Sequence, residues 1–360
     1  MKKGVAIIGV GQTEYKIHSD KSIPEMVYTA VKAALEDAGI SIKDIDNVVS
    51  SSCDLWDGRT ASGVAITEVV GAVMKTETRV SNDGMFAAAH AYMGILSGCY
   101  NISLVVAHCK LSEASHFEVS NWVFDPIYQQ MLGIDYLSAA ALQARWYMSK
   151  YGITERDCAE VVVKNRKNGM KNKFVTAEQV TVDDVLNSEV VASPIKSLDI
   201  PPLVDGACAL VLASDKIKNG VRITGFGYYQ DAHYLGDRDL SESRALSMAS
   251  ERAFEQAGIK NPAKEIDVAE ISEEFSYQEM LWCECIGFCE RGKGNSFVNN
   301  TDVLINPSGG ILSGNPPFVA GLARLAEAYL QINAKKTGKA LAHGVCGPAG
   351  QSHCVMILEK

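Results

Sequence analysis

The sequence predicts an α/β fold built twice. Three observations carry that reading. "VAIIGVGQTEY" at 5–15 and "VRITGFGYYQD" at 221–231 are both short β-branched runs ending in Gly-x-Gly, each read as a buried strand leaving through a tight turn. "ALEDAGI" at 34–40 and "AFEQAGI" at 253–259 close two amphipathic segments in almost the same words. Each half then continues with a turn, a strand and a second helix-and-strand pair. Two such units bury their apolar faces by packing their α/β layers against each other.

In the first half, the segment "SIPEMVYTAVKAALEDAGI" starts at a serine suited to cap a helix and stops at Ala-Gly-Ile, with Gly39 at the C-terminal cap. "KDIDNVVSSS" at 43–52 turns into another strand. "MFAAAHAYMGILSG" at 85–98 is rich in Ala and Gly and apolar nearly all round, which marks a buried helix. The strand "ISLVVAHC" at 102–109 follows. From about 113 to 200 the chain carries mixed helices, aromatics and lysines with no counterpart in the other half, and reads as an inserted loop domain. The second half repeats the order: "SESRALSMASERAFEQAGI" with Gly258 at its cap, "KEIDVAEISEEF" at 264–275, "FVAGLARLAEAYLQI" at 318–332, "KALAHGVCG" at 339–347 and the closing strand "SHCVMILE". The expected division is residues 1–112 with 201–218, an insertion over 113–200, and a second half over 219–360.

Composition narrows the function classes. The chain has 360 residues, 47% hydrophobic and 21% charged, with a formal net charge of −9. That balance argues against nucleic acid or an anionic membrane as a general partner. No apolar run approaches the roughly 20 residues of a membrane helix, and "MKKGVAIIGVG" is too short and glycine-rich for a signal sequence. Ten cysteines are scattered without paired CxxC knuckles, as in a reduced, cytoplasmic protein. "WCECIGFCERG" has no matching second half, so its cysteines read as small buried hydrophobes, with zinc as the alternative.

Three segments resemble the thiolase superfamily, and the resemblance runs the length of the chain. "SPIKSLDIPPLVDGACALVLAS" at 193–214 is similar to the family's segment closing the first half. "EIDVAEISEEFSYQEM" at 265–280 is similar to the strand and turn that bear a His or Asn motif. "NPSGGILSGNPPFVAGLARLAEAYLQI" at 306–332 is similar to the Asn-x-x-Gly-Gly stretch, its catalytic loop and the following helix. The nearest branch is that of the lipid-transfer-protein-like thiolases. The resemblance implies a duplicated thiolase fold in five layers, α-β-α-β-α, with no tightly bound cofactor and no metal, and CoA as a substrate.

It also shows what is missing. A thiolase carries a nucleophilic cysteine at the N-terminal end of the first half's buried helix, where the helix end favours its thiolate. Here that region reads "RVSNDGMFAAAH". Alignment puts Ser81 or Gly84 in the slot, and Asp83 reads as a plain helix cap. The family's Gly-His-Pro loop reads Gly314-Asn315-Pro316, so Asn315 can polarise a thioester oxygen but cannot move a proton as histidine does. Ser272 stands where relatives have His or Asn. "HGVCG" aligns with the loop bearing the acid/base cysteine, which makes Cys346 the leading catalytic candidate, with His343 and Gly347 beside it. Pro348, two residues on, has no N–H to offer. Cys109 and Tyr277 complete the candidates.

The resemblance implies thiolytic cleavage of a bulky 3-oxoacyl-CoA first, with benzoylsuccinyl-CoA as one substrate of similar branch members. Retro-aldol cleavage of a 3-hydroxyacyl-CoA, or a non-catalytic role in a hetero-oligomer, are the alternatives. The implied partners are a CoA thioester, a second copy joined through central strands of the thiolase core, and a small zinc-ribbon/OB-fold subunit.

Overall fold

The computed structural model describes residues 4–334 and 338–360. Ten strands form the main sheet. The first half contributes β1 (Val5–Gln12), β2 (Asn47–Ser51), β3 (Thr76–Val80), β4 (Ile102–Cys109) and β5 (Gly206–Ser214). The second contributes β6 (Val221–Gln230), β7 (Val268–Glu270), β8 (Leu304–Ile305), β9 (Lys339–Cys346) and β10 (Ser352–Glu359). The order across the sheet is β8-β7-β9-β10-β6-β1-β5-β4-β2-β3. Read outward from the middle, the halves are identical. In each, the central strand pairs antiparallel with the last strand of its half, that strand pairs antiparallel with the next, and two parallel pairings follow.

The halves meet where Ala6 and Ile7 of β1 pair with Arg222 and Val221 of β6. The central strands are thus bonded to each other within one chain. That contact spans two residue pairs. The free edges are β3 and β8.

The longer helices are α1 (Ile23–Ala38), α2 (Gly84–Ser97), α3 (Tyr136–Tyr151), α4 (Glu155–Gly169), α5 (Arg244–Ala257), α6 (Ser276–Ile286) and α7 (Ala320–Asn333). The repeated Ala-Gly-Ile ends behave alike: Gly39 and Gly258 both cap their helices in the left-handed region, at φ 61° and 70°. Three apolar clusters separate five layers. One lies between α1 and the outer face of β1, β4 and β5; one surrounds α2 and α7 between the two half-sheets; one joins α5, α6 and the insertion's α3 and α4 to the outer face of β7, β9 and β10.

The Gly-x-Gly pairs are not turns. Gly9 and Gly11 lie inside β1, and Gly225 and Gly227 inside β6. A Cβ on Gly9 or Gly11 would stand 2.4 or 2.1 Å from the carbonyl oxygen of Ala34 or Ala30 in α1; on Gly225 or Gly227 it would stand 2.2 or 1.9 Å from that of Ala253 or Ala249 in α5. The glycines let each helix backbone rest directly on its strand.

Candidate active site

A cleft opens where both halves and the insertion meet. Its reactive groups come from four places: Asp83 at the start of α2, Glu274 on the turn after β7, Asn315 on the loop before α7, and Cys346 with Gly347 at the end of β9. The rest of the wall is mostly apolar, including Trp56, Tyr136, Leu203, Phe275 and Phe318.

Asp83 caps α2 and reaches across the pseudo-symmetric pair of central helices. Oδ1 accepts the Met85 N–H at 2.8 Å, and Oδ2 accepts the N–H of Gly321, in the first turn of α7, at 2.9 Å. One carboxyl thus satisfies donors at two helix N-termini. Burial pushes its pKa up to about 7, against the pull of those N–H groups and of Arg324. Glu274 is likewise pushed up to about 7, first by burial and then by the Asp83 charge. Burial, Asp83 and Glu274 together push the Cys346 thiol up to about 12, partly offset by the backbone N–H groups of Asp83 and Gly347 directed at its sulfur. The cleft therefore holds two carboxyls that exchange protons near neutrality around a thiol kept protonated.

Asn315 is held by its backbone. Its N–H donates to Pro202 O at 2.8 Å and its carbonyl accepts the Val204 N–H at 3.0 Å, which fixes the loop against the segment leading into β5. Gly347 takes φ 84°, a conformation that suits glycine and turns the chain tightly past Cys346. Beyond it, Arg238 donates to Pro348 O at 2.9 Å and Gln143 to Ala349 O at 3.0 Å.

The structure thus brings Asn315, Cys346 and Gly347 to one cleft. The other residues expected there lie elsewhere. Ser81 is exposed beyond the end of β3. Gly84 is buried beneath α7, where a Cβ would stand 2.8 Å from those of Ala107 and Leu322. The Cys109 thiol is buried in the core, and burial with the nearby Asp57 and Asp205 charges pushes it up. Tyr277 donates to Ala140 O and Gln143 in the interior. Ser272 and His343 bond to each other behind the cleft. Among the described residues no group of three side chains could hold a metal ion; Cys283 and Cys285 are buried on α6 and Cys289 is half-buried. Sequence reading missed Asp83 as more than a cap, and missed Glu274. Its available signals were an acid at the start of a fully apolar helix and the doubled acid in "SEEF".

The comparisons agree with this fold. Residues 5–216 match the thiolase N-terminal domain and 227–360 the thiolase C-terminal domain-like family. The chain belongs to the thiolase superfamily. It is 25% identical to sterol carrier protein 2 of Gallus gallus, over 92% of this chain and 66% of that one. It is 29% identical to an acetyl-CoA acetyltransferase of Methanocaldococcus jannaschii, over 94% of this chain and 92% of that one. It is 25% identical to the benzoylsuccinyl-CoA thiolase subunit BbsB of Thauera aromatica, over 92% and 90%, and 26% identical to a steroid side-chain-cleaving aldolase of Thermomonospora curvata, over 90% and 88%. The solved Ltp2-ChsH2(DUF35) aldolase superposes with a TM-score of 0.83 at 21% identity, covering 99% of this chain and 97% of that one. Among the described residues no helix is long and apolar enough to cross a membrane.

Proposed function

We propose that this chain cleaves a carbon–carbon bond in a CoA thioester without an acyl-cysteine, by retro-aldol cleavage of a 3-hydroxyacyl-CoA with an apolar substituent at C3. One observation carries the reading: at the N-terminal end of the buried helix α2, near which the resemblance expects a nucleophilic cysteine, the side chain that lines the cleft is the Asp83 carboxyl. The remaining thiol is a poor substitute. With burial and the neighbouring carboxyls pushing its pKa up to about 12, Cys346 stays a protonated thiol at neutral pH. Sequence reading ranked thiolysis first; the cleft favours the aldol alternative.

The chemistry balances within the substrate. A carboxylate of the Asp83–Glu274 pair takes the proton from the C3 hydroxyl, the C2–C3 bond breaks, and the released carbonyl compound leaves a thioester enolate. Asn315 lines the cleft, and its side-chain amide supplies a donor for the enolate oxygen. The protonated partner carboxyl then delivers a proton to C2. Two acids near pH 7 suit both transfers, since each is poised between its forms. Likeness to an aldolase of steroid side chains and the apolar wall support an apolar acyl group. The test uses 3-hydroxy-3-phenylpropionyl-CoA and its 3-oxo counterpart. The expected result is benzaldehyde and acetyl-CoA from the first, at a rate independent of added CoA. Cleavage of only the 3-oxo compound, dependent on CoA and giving two thioesters, overturns the reading.

The proposed assembly is a homodimer joined at the β3 edge, with a small zinc-ribbon/OB-fold subunit. β3 is the first half's edge strand; Thr76 is exposed and none of its other residues is fully buried. A solved relative in fold is an aldolase named with a DUF35 partner. Light scattering of the purified chain, alone and co-expressed with a DUF35-type subunit, tests both contacts.

A further inference from the structure

Ser272 and His343, left outside the cleft, belong to a buried relay with a fixed direction. The Ser272 N–H points at His343 Nδ1, 3.4 Å away; His343 Nε2 lies 2.9 Å from His353 Nδ1; and His353 Nε2 lies 2.9 Å from the Gly350 carbonyl oxygen. A backbone N–H can only donate and a carbonyl can only accept. With both rings neutral, one proton arrangement satisfies every link: each imidazole bare at Nδ1 and protonated at Nε2. Both rings are fully buried, and burial holds both below the usual histidine range, with the His353 neighbour adding to the effect at His343 and Arg238 at His353. They stack at 5.2 Å, and the Trp282 ring meets His353 edge-on at 4.9 Å.

The two ends of the relay matter more than its middle. Ser272 is two residues before Glu274. Gly350 is four residues after Cys346, on a loop where Gly347, Ala349 and Gly350 all have positive φ. Ser272 Oγ also donates to the His343 carbonyl at 2.7 Å, which locks the turn to β9 itself. At the far end the loop is pressed onto Trp282, since a Cβ on Gly350 would stand 2.6 Å from its ring.

We infer that His343 and His353 are a neutral positioning pair, which clamps the turn bearing Glu274 to the loop bearing Cys346 and so sets the spacing of acid and thiol in the cleft. Neither ring touches the cleft, so neither is a catalytic residue. The inference rests on the cleft being the reaction centre, but not on which bond is broken there, and it is tested without turnover.

Two measurements on the full chain decide it. In ¹⁵N-histidine-labelled protein, both rings are expected as the neutral Nε2–H form from pH 5 to 8, assigned by single substitution. An imidazolium or an Nδ1–H form at pH 7 overturns the relay. The second reads the alkylation rate of the Cys346 peptide with iodoacetamide by mass spectrometry. His353→Leu, which cannot donate to Gly350, is expected to raise that rate at least tenfold as the thiol leaves its carboxyl neighbours. His353→Gln, whose amide can still donate there, is expected to stay within about threefold of wild type. A folded His353→Leu with the wild-type rate, or a Gln variant as perturbed as Leu, shows a purely structural pair. If His353→Leu fails to fold, the labelling result alone carries the decision.

Discussion

Replacing Asp83 by Asn removes one charge from the centre while keeping shape, and its effect on stability should change with pH. In the native chain burial raises the Asp83 pKa from 3.8 to about 7. Between those values the folded protein holds a proton that the unfolded chain has released. The stability this contributes is fully present below about pH 4 and is lost as pH rises through about 7. At 1.36 kcal/mol per tenfold, the interval is worth roughly 4 kcal/mol. The Asn variant has no such dependence. It has a different, pH-independent cost: one amide oxygen cannot serve both the Met85 and Gly321 N–H groups, and a buried donor left unpaired costs about 1–3 kcal/mol. Asp83→Asn should therefore be less stable than wild type at pH 4 and should match or exceed it at pH 8. Urea unfolding followed by tryptophan fluorescence at intervals between those pH values measures the difference. Two curves that run parallel at a constant offset would show that Asp83 holds no proton in the folded protein, and the carboxyl-pair reasoning would fail with it.

Glu274→Gln should lower retro-aldol turnover by about 10²–10⁴ and remove the pH-rate limb near 7, since it deletes one of the two groups that titrate there. A pH profile unchanged in shape would place the acid and base elsewhere. Gly84→Ala should cost about 1–3 kcal/mol in urea unfolding, because the added methyl meets Ala107 and Leu322 at 2.8 Å in the packed layer between the half-sheets. A neutral effect would mean that this layer has slack. Arg324→Met should cost about 3–5 kcal/mol at pH 8, where it leaves the buried Glu270 carboxylate, 3.0 Å away, without its partner. Glu270 is itself pushed up to about 7 by burial. The penalty should therefore shrink as pH falls below that value and Glu270 takes up a proton, and a constant penalty would contradict the pairing.

The duplication was legible because its signals are local: a serine cap, a 3.6-residue apolar period and a left-handed glycine at each helix end. The Gly-x-Gly pairs were seen but misassigned. A sequence shows that a side chain is missing, not whether a turn or the backbone of a neighbouring helix requires its absence. In the cleft, Asn315, Cys346 and Gly347 were legible because each sits in a segment resembling a known loop. Asp83 was half legible. Its bond to Met85 is a local cap, whereas its bond to Gly321 spans 238 residues and leaves no mark near either position. His343 misled because an imidazole three residues before Cys346 reads like chemistry, while its partner His353 is on the next strand, opposite Val345 in the register.

The most direct test of cleavage without an acyl-enzyme compares Cys346→Ala with Asp83→Asn on 3-hydroxy-3-phenylpropionyl-CoA, with intact-protein mass spectrometry on quenched wild-type reactions. The expected result is no acyl adduct on wild type, at least one-tenth of the wild-type rate in Cys346→Ala, and a loss of about 10²–10⁴ in Asp83→Asn. An adduct on Cys346 together with an inactive Cys346→Ala would contradict it and return the chain to cysteine-based thiolysis.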